Sequence, residues 1–248
     1  AGMGEACIRP VMTSHGDGIY KSMDAGDTWS HIGLEKSRTI SQVIVHPKNA
    51  ELVYVAVQGD QYTASKDRGI YRSNDGGKHW EKVLFVNDHS GVSGLSMDRT
   101  NPRILFASFW DHQRQPWQMR SGGDGSGIYK STDGGDQWKK VNDKSDIGNR
   151  PFYYSDIFVD PQNENRVYSV FTYVNVSEDG GRNFKELMPA YNANNGVHPD
   201  HHAWWIHPQD GSFIIDGNDG GLNISRDAGT SWRFVGNIPV GQFYHVNV

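Results

Sequence analysis

The sequence predicts an all-β protein built as a β-propeller of four-stranded antiparallel blades. One octapeptide pattern, Ser-x-Asp-x-Gly-x-x-aromatic, occurs five times, and the aspartates of successive copies are 51, 58, 46 and 48 residues apart. A recurrence of about 50 residues is typical of one propeller blade. No window shows a sustained helical period, so long helices are not expected. The five octets occupy residues 22–29, 73–80, 131–138, 177–184 and 225–232.

Each octet predicts the turn of a β-hairpin. Its aspartate can accept hydrogen bonds from backbone N–H groups two or three residues later. Its glycine suits the positive φ that a tight turn requires. Short β-prone runs precede and follow the octets, as in residues 127–129 and 138–141. The five octet aspartates are therefore predicted to be structural: Asp24, Asp75, Asp133, Asp179 and Asp227.

The octet resembles the Asp-box, or BNR repeat, of sialidases and of sortilin-like and "glycosyl hydrolase" β-propellers. All five copies fit the pattern, with Phe184 as a conservative departure from tryptophan. Segments outside the octets, including residues 122–131 and 200–204, resemble parts of large secreted bacterial sortilin-like propellers. The resemblance covers essentially the whole chain. It implies the fold strongly and an activity only weakly, because the Asp-box of this family is structural.

A second repeated unit predicts the inner half of each blade. An alternating strand, a short turn rich in Pro and Asn, and another strand recur in that order. Each blade thus reads strand, Pro/Asn turn, strand, variable loop, strand, octet turn, strand. The Pro/Asn turns fall at residues 46–49, 98–101, 160–163 and 207–210.

The length of the chain suits one domain, and we expect a single propeller domain over residues 1–248 with about five blades. The first octet follows only about 20 residues, whereas later octets follow two further strands. Residues 242–248 alternate like the opening strand of another blade. We therefore expect the domain to be incomplete at both ends, a fragment of a larger propeller. A five-bladed ring closed by residues 242–248 is the alternative.

Composition argues against several classes of protein. The net charge of −5 gives no basic face, so nucleic acid is not an expected partner. No apolar run approaches the roughly 18 residues of a membrane-spanning helix. The single cysteine, Cys7, excludes an internal disulfide. The first ten residues do not read as a signal peptide, so a secreted, periplasmic or cell-surface location is implied by the resemblance alone.

Topology separates two faces of the predicted disc. Octet turns and Pro/Asn turns lie on one face, and the loops of variable length lie on the other. Sites usually occupy variable loops on a rigid scaffold, so we place ligand binding on this variable-loop face. Exposed Trp and Tyr beside carboxylates and Arg suit either a sugar or a peptide. The candidate ligand-binding residues are Tyr62, Arg114, Trp117, Arg120, Tyr154, His201, His202 and Asp219.

Glycoside hydrolysis would require an acid and a base or nucleophile, usually two carboxylates roughly 5 to 10 Å apart. Asp200, beside two histidines, is the first choice for the charged partner, and Glu5 or Asp111 for the acid with a raised pKa. A sialidase is not expected, because the arginines lack a recognisable sialidase context.

The densest group of possible metal ligands is residues 198–205, but its spacing matches no metalloenzyme signature. Neighbouring residues of a strand also point to opposite faces, so at most one of His201 and His202 can join such a site. We therefore expect no metal and no other cofactor.

The favoured function at this stage is extracytoplasmic recognition of a carbohydrate or a polypeptide through the variable-loop face. Two alternatives stay open. One is a glycoside hydrolase acting on a polysaccharide with a carboxylate pair on that face. The other is an architectural subunit of an envelope or secreted assembly, with further domains or subunits as partners.

Overall fold

The computed structural model describes residues 1–6, 14–144, 147–148, 156–188 and 197–238. These residues form nineteen β-strands and no α-helix. Accordingly, none of the described segments is a helix with the length and hydrophobicity needed to cross a lipid bilayer.

Four antiparallel sheets form the blades, and in each the main strands pair in chain order. Blade 1 contains β3 (Ile40–His46), β4 (Asn49–Val57), β5 (Gly69–Ser73) and β6 (Glu81–Leu84). Blade 2 contains β7 (Ser90–Met97), β8 (Leu105–Gln115), β10 (Gly127–Ser131) and β11 (Lys139–Asn142), and β9 (Gln118–Ser121) pairs with the far end of β8. Blade 3 contains β12 (Asp156–Asp160), β13 (Asn163–Val170), β14 (Val174–Ser177) and β15 (Lys185–Met188). Blade 4 contains β16 (His201–His207), β17 (Asp210–Asn218), β18 (Gly221–Ser225) and β19 (Arg233–Phe234).

The predicted all-β propeller with four-stranded antiparallel blades is confirmed. The described residues complete four blades, where the sequence predicts about five. The remaining octet closes an N-terminal hairpin of β1 (Tyr20–Lys21) and β2 (Ser30–His31), to which Gly2 adds a single bridge at Ile19. Residues 242–248, predicted to open another blade or alternatively to close the ring, lie outside the described residues, and the domain boundary stays a prediction.

The four sheets stand in a ring around a central channel. The first strand of every blade lies innermost, because β3, β7, β12 and β16 all line the same cavity of about 440 Å³. The hydrophobic cores lie between consecutive blades. Tyr54 of blade 1 packs in one cluster with Leu95 of blade 2, and Tyr168 of blade 3 packs in another with Trp204 of blade 4.

The octets close the hairpins through a fixed set of hydrogen bonds. In the third copy, the Ser131 hydroxyl donates to Asp133 at 2.8 Å and accepts from the Gly135 N–H at 2.9 Å. Asp133 in turn accepts from the Gln137 N–H at 3.0 Å. The same three bonds occur in the other four copies. Because these bonds favour the charged carboxylate, they lower the pKa of all five octet aspartates.

The predicted positive φ of the octet glycine is confirmed in all five copies, as in Gly135 at 89°. The residue before that glycine is also left-handed in every copy, which the sequence pattern did not indicate. It is glycine in three octets, but alanine in two, with φ of 59° at Ala25 and 57° at Ala228.

The Pro/Asn turns contain a second local device. Asp98 and Asp160 accept a hydrogen bond from the backbone N–H two residues later, at 2.8 Å in both cases. His46 and His207 occupy the same position in the other two turns. The Nδ1 atom of each accepts from the backbone N–H two residues later, at 3.2 and 3.1 Å. In each of the four blades, an octet N–H donates to a carbonyl in the segment that follows the Pro/Asn turn, as Gly180 does to Asn165 at 2.8 Å. The two kinds of turn therefore share one face, as predicted.

Candidate functional site

The loops of blades 1 and 2 are joined on the face opposite the octets. The Arg114 N–H donates to the Gln61 carbonyl at 2.7 Å, and the Gln113 amide donates to the Tyr62 carbonyl at 3.1 Å. The Gln61 side chain is buried and donates to the Glu5 carbonyl at 3.0 Å. These bonds connect the N-terminal segment to the first two blades as one cluster of loops.

Arg68 lies fully buried beneath these loops. Its guanidinium donates to the backbone carbonyls of Gln58, at 3.1 Å, and Asp60. Burial lowers its pKa to about 10, with nearby carboxylates opposing that change. A buried arginine held by carbonyls organises a loop, because its donors satisfy backbone groups that the loop cannot pair internally.

His112 faces Arg68 and is also buried. Its ring stacks on Trp110 at 3.9 Å between centroids, and Nδ1 lies 3.0 Å from the Trp110 carbonyl. Burial, followed by the charge of Arg68, lowers the pKa of His112 to about 3, so the ring is neutral at physiological pH. The Arg68 guanidinium lies against this neutral ring, with Nη1 3.3 Å from Nδ1 and 3.5 Å from Nε2. The pair therefore joins the two loops without placing two positive charges together.

Six predicted site residues meet in this loop cluster. Asp111 is buried and forms an ion pair with Arg120. Tyr62 is 36% exposed with its ring 5.6 Å from that of His15. Trp117 is 79% exposed in the turn between β8 and β9. The other two are Glu5, whose carboxylate accepts from the Ser14 N–H at 3.3 Å, and Arg114.

The predicted residues of blade 4 form a separate group. His201 is buried and its Nδ1 lies 2.8 Å from Asp216, whereas His202 is exposed and its Nε2 lies 2.8 Å from Asp219. The two histidines therefore differ in burial and in partner, at a place where the pairing of β16 with β17 shifts register between His201 and Ala203. Asp200 precedes the strand with φ of 66°.

One predicted site residue, Tyr154, lies outside the described residues. Within the parts of the chain that the structure describes, no three His, Cys, Asp or Glu side chains are grouped so as to hold a metal ion.

A pocket of about 260 Å³ lies between blades 2 and 3. It is open on the variable-loop face, since the loop after β9 and the link after β11 form part of its wall. Besides Trp110 and backbone of Gly122 and Gly123, its wall carries Asp143, Lys144 and Asp156. Five serines also line it: Ser93, Ser108, Ser121, Ser126 and Ser169.

Asp156 is the acidic group of this pocket that sequence analysis missed. Protein atoms surround its carboxyl group, and the surface that stays accessible lines the pocket. Burial raises its pKa to about 7, although a 2.8 Å bond from the Ile157 N–H opposes that change. The sequence does distinguish Asp156 from its counterparts. The equivalent inner-strand positions of the other three blades carry the uncharged Gln42, Gly94 and Ala203.

No protein-family model matches the sequence, and no curated protein matches it. Solved structures do resemble the fold. An ancestral GH74 enzyme is 18% identical with a TM-score of 0.63, over 92% of this chain and 30% of that one. A GH74 enzyme from Niastella koreensis is 19% identical with a TM-score of 0.62, over 88% and 35%. The GH74 xyloglucanase from Xanthomonas campestris is 18% identical with a TM-score of 0.59, over 93% and 36%.

The likeness is one of fold. The GH74 enzymes are β-propeller glycoside hydrolases, and this chain spans about a third of the length of these three structures. Identities below 20% support a shared propeller fold. They do not indicate which ligand or reaction this chain has.

Proposed function

We propose that the protein binds a carbohydrate chain through its variable-loop face. The observation that carries the proposal is the pair of exposed rings, Trp117 and Tyr62, in the loop cluster that also contains the Asp111–Arg120 ion pair. Flat rings offer apolar faces to the C–H surface of a sugar, and the ion pair offers donors and acceptors to its hydroxyls.

The loops that carry these groups are held in place before any ligand arrives. Arg68 and His112 are buried beneath them, and direct bonds connect Gln61 to Arg114 and Tyr62 to Gln113. Preorganisation of this kind reduces the entropy lost on binding. It favours a ligand that is recognised by fixed groups, as a polysaccharide is.

We also propose that the octets are Asp-boxes with a structural role, because their carboxylates are engaged by their own turns. An extracytoplasmic location is proposed on the sequence resemblance. Polypeptide recognition and an architectural role stay as predictions, and the fold likeness to GH74 enzymes favours the carbohydrate over both.

A glycoside hydrolase is the second candidate function, and Asp156 is the observation that favours it. An acid whose pKa is raised by burial suits protonation of a leaving oxygen, and a second carboxylate has to act as base or nucleophile. Asp111, held by Arg120, is a carboxylate of the second kind. The catalytic roles predicted for Asp200 and Glu5 stay predictions.

The proposed function can be tested by isothermal titration calorimetry with xyloglucan, cello-oligosaccharides and pectic oligosaccharides. We expect Trp117→Ala and Tyr62→Ala each to weaken binding about tenfold, because truncating a central aromatic contact costs more than about 1 kcal/mol. The matched control is Trp29→Ala, which removes a 52% exposed tryptophan on the octet face and should leave binding unchanged.

Two results would contradict the proposal: absence of binding to every glycan, or equal loss in Trp29→Ala and Trp117→Ala. Release of reducing ends by the wild-type protein, lost in Asp156→Asn, would establish the hydrolase instead of a binding module.

A further inference from the structure

We propose that the pocket between blades 2 and 3 is a subsite for one sugar unit, with Asp156 as its central hydrogen-bonding group. The inference rests on the proposed carbohydrate-binding function and names the place where one unit of that ligand is held. Its volume of about 260 Å³ lies just below the roughly 300–1,000 Å³ of typical ligand pockets, which suits one small unit rather than a chain.

One residue of blade 2 sets the position of the Asp156 carboxyl at the edge of this pocket. At the equivalent position of blade 1, Gln42 spans to blade 2, and its side-chain oxygen accepts from the Leu95 N–H at 2.7 Å. Blade 2 has Gly94 there, and a Cβ added to it would meet Asp156 Oδ1 at 2.8 Å and Ser108 Oγ at 2.9 Å. The absence of a side chain at Gly94 therefore lets the Asp156 carboxyl pack against β7, where its Oδ1 accepts from the Ile157 N–H.

Two serines of the pocket are oriented by bonds within blade 2. Ser121 Oγ accepts from the Trp110 indole N–H at 3.0 Å, and Ser126 Oγ accepts from the Asp111 N–H at 2.9 Å. A hydroxyl that accepts from the protein still has its own proton to donate. Hydroxyls that both donate and accept match the surface of a sugar, which is itself covered with such groups.

Asp156 supplies the group that distinguishes this pocket. Within the described residues, its carboxyl receives one hydrogen bond, from the adjacent Ile157 N–H. The other charged groups that line the pocket are Asp143 and Lys144, on the link after β11. Burial raises the pKa of Asp156 to about 7. Below that pH the carboxyl donates an O–H to a ligand oxygen, and above it the carboxylate can only accept.

The test is calorimetric titration with a xyloglucan oligosaccharide from about pH 5 to about pH 9. We expect wild-type affinity to fall about tenfold or more across this range, with a midpoint close to pH 7. Asp156→Asn, which keeps a donor and an acceptor, should lose this pH dependence. Asp124→Asn, an exposed carboxylate of the same loop region that does not line the pocket, is the matched control and should keep it.

Gly94→Gln provides a second variant, whose added side chain would displace the Asp156 carboxyl, and we expect it to weaken binding at every pH. Retention of the wild-type pH profile in Asp156→Asn, together with full affinity in Gly94→Gln, would overturn the subsite. That result combined with loss of binding in Trp117→Ala would leave the proposed function standing. No binding by any variant would overturn both.

As a direct probe, glucose, xylose and galactose at high concentration should perturb the NMR amide signals of Gly123 and Gly148. No perturbation by any of them would also count against the subsite.

Discussion

Asp156 couples the stability of the protein to pH as well as offering a group to a ligand. Its pKa is raised from an ordinary value of 3.8 to about 7 by burial. Between about pH 4 and about pH 7 the folded protein therefore holds a proton that the unfolded chain has released. Stability from this group is greatest below about pH 4 and is lost as the pH rises to about 7.

Asp156→Asn is accordingly expected to stabilise the protein at pH 8, because the amide has no charge to desolvate. The gain in free energy of unfolding should be about 1–4 kcal/mol, from roughly three pKa units at about 1.36 kcal/mol each, reduced for the accessible part of the carboxyl. Denaturant titrations at about pH 4 and pH 8 measure it. At pH 4 wild type and variant should differ little, and an equal gain at both pH values would refute the linkage.

The octet aspartates act in the opposite direction. Hydrogen bonds to their carboxylates, the strongest from the Thr28 side chain in the case of Asp24, lower the pKa of Asp24 to about 2. Side-chain and backbone bonds from Asn183 do the same for Asp179, whose pKa is also lowered to about 2. Their contribution to stability is present above about pH 4 and is lost as the pH falls towards 2.

At the scale of the element, the octet turn is defined by two consecutive left-handed residues. The second is glycine in all five copies, but the first is alanine at Ala25 and Ala228. A non-glycine residue in this conformation costs roughly 1–2 kcal/mol. The bonds of the serine and the aspartate hold the turn closed in spite of that strain.

Ala228→Gly should therefore raise the free energy of unfolding by about 0.5–1 kcal/mol, which is the relieved strain less the entropy of the added glycine. The reciprocal variant, Gly134→Ala, should lower it by a similar amount. A Cβ at Gly134 would have Tyr54 Oη as its nearest neighbour at 3.7 Å, so no clash is added. Thermal unfolding of both variants measures these changes. Destabilisation by Ala228→Gly would contradict the claim that Ala228 is strained in the folded protein.

The octet turns, the Pro/Asn turns and the split between two faces could be predicted from the sequence because their bonds are local. In the octet the serine and aspartate reach backbone groups at most four residues away. Even the substitution of His46 and His207 for aspartate leaves the local geometry intact.

The candidate site was harder to predict because its contacts join distant parts of the chain. Arg68 meets His112 across 44 residues. The environment of Asp156 depends on Gly94 in the preceding blade, whose missing side chain allows the carboxyl to pack against it. Strand alternation correctly predicted that His201 and His202 differ in exposure, but it gave no indication that Asp216 is the buried partner. Prediction failed where one blade determines what surrounds a side chain of the next.

At the scale of the whole molecule, the octets also connect blades. The Gly134 carbonyl in the octet of blade 2 accepts from Tyr54 Oη of blade 1 at 2.7 Å and from Arg72 of blade 1 at 3.0 Å. Arg72 additionally pairs with Asp136 of the same octet at 2.6 Å. Lys21 of the N-terminal hairpin makes the corresponding bond to the Gly76 carbonyl at 3.2 Å.

Tyr54→Phe should lower the free energy of unfolding by about 0.5–1.5 kcal/mol, the usual net value of one hydrogen bond. Because Arg72 donates to the same carbonyl, the double variant with Arg72→Met should differ from the sum of the single effects. Equilibrium denaturation of the three variants measures the coupling. Strict additivity would show that the two donors stabilise the blade interface independently.

The extensive contacts between inner strands join blades that are consecutive in the chain, as with β3 and β7 or β7 and β12. Mechanically, each blade of the described ring is joined to the next one along the chain. Tension applied along the polypeptide would detach an end blade before its neighbours, and each release of about 50 residues would lengthen the chain by roughly 170 Å. Under force, a protein built in this way would unfold in steps, one blade at a time.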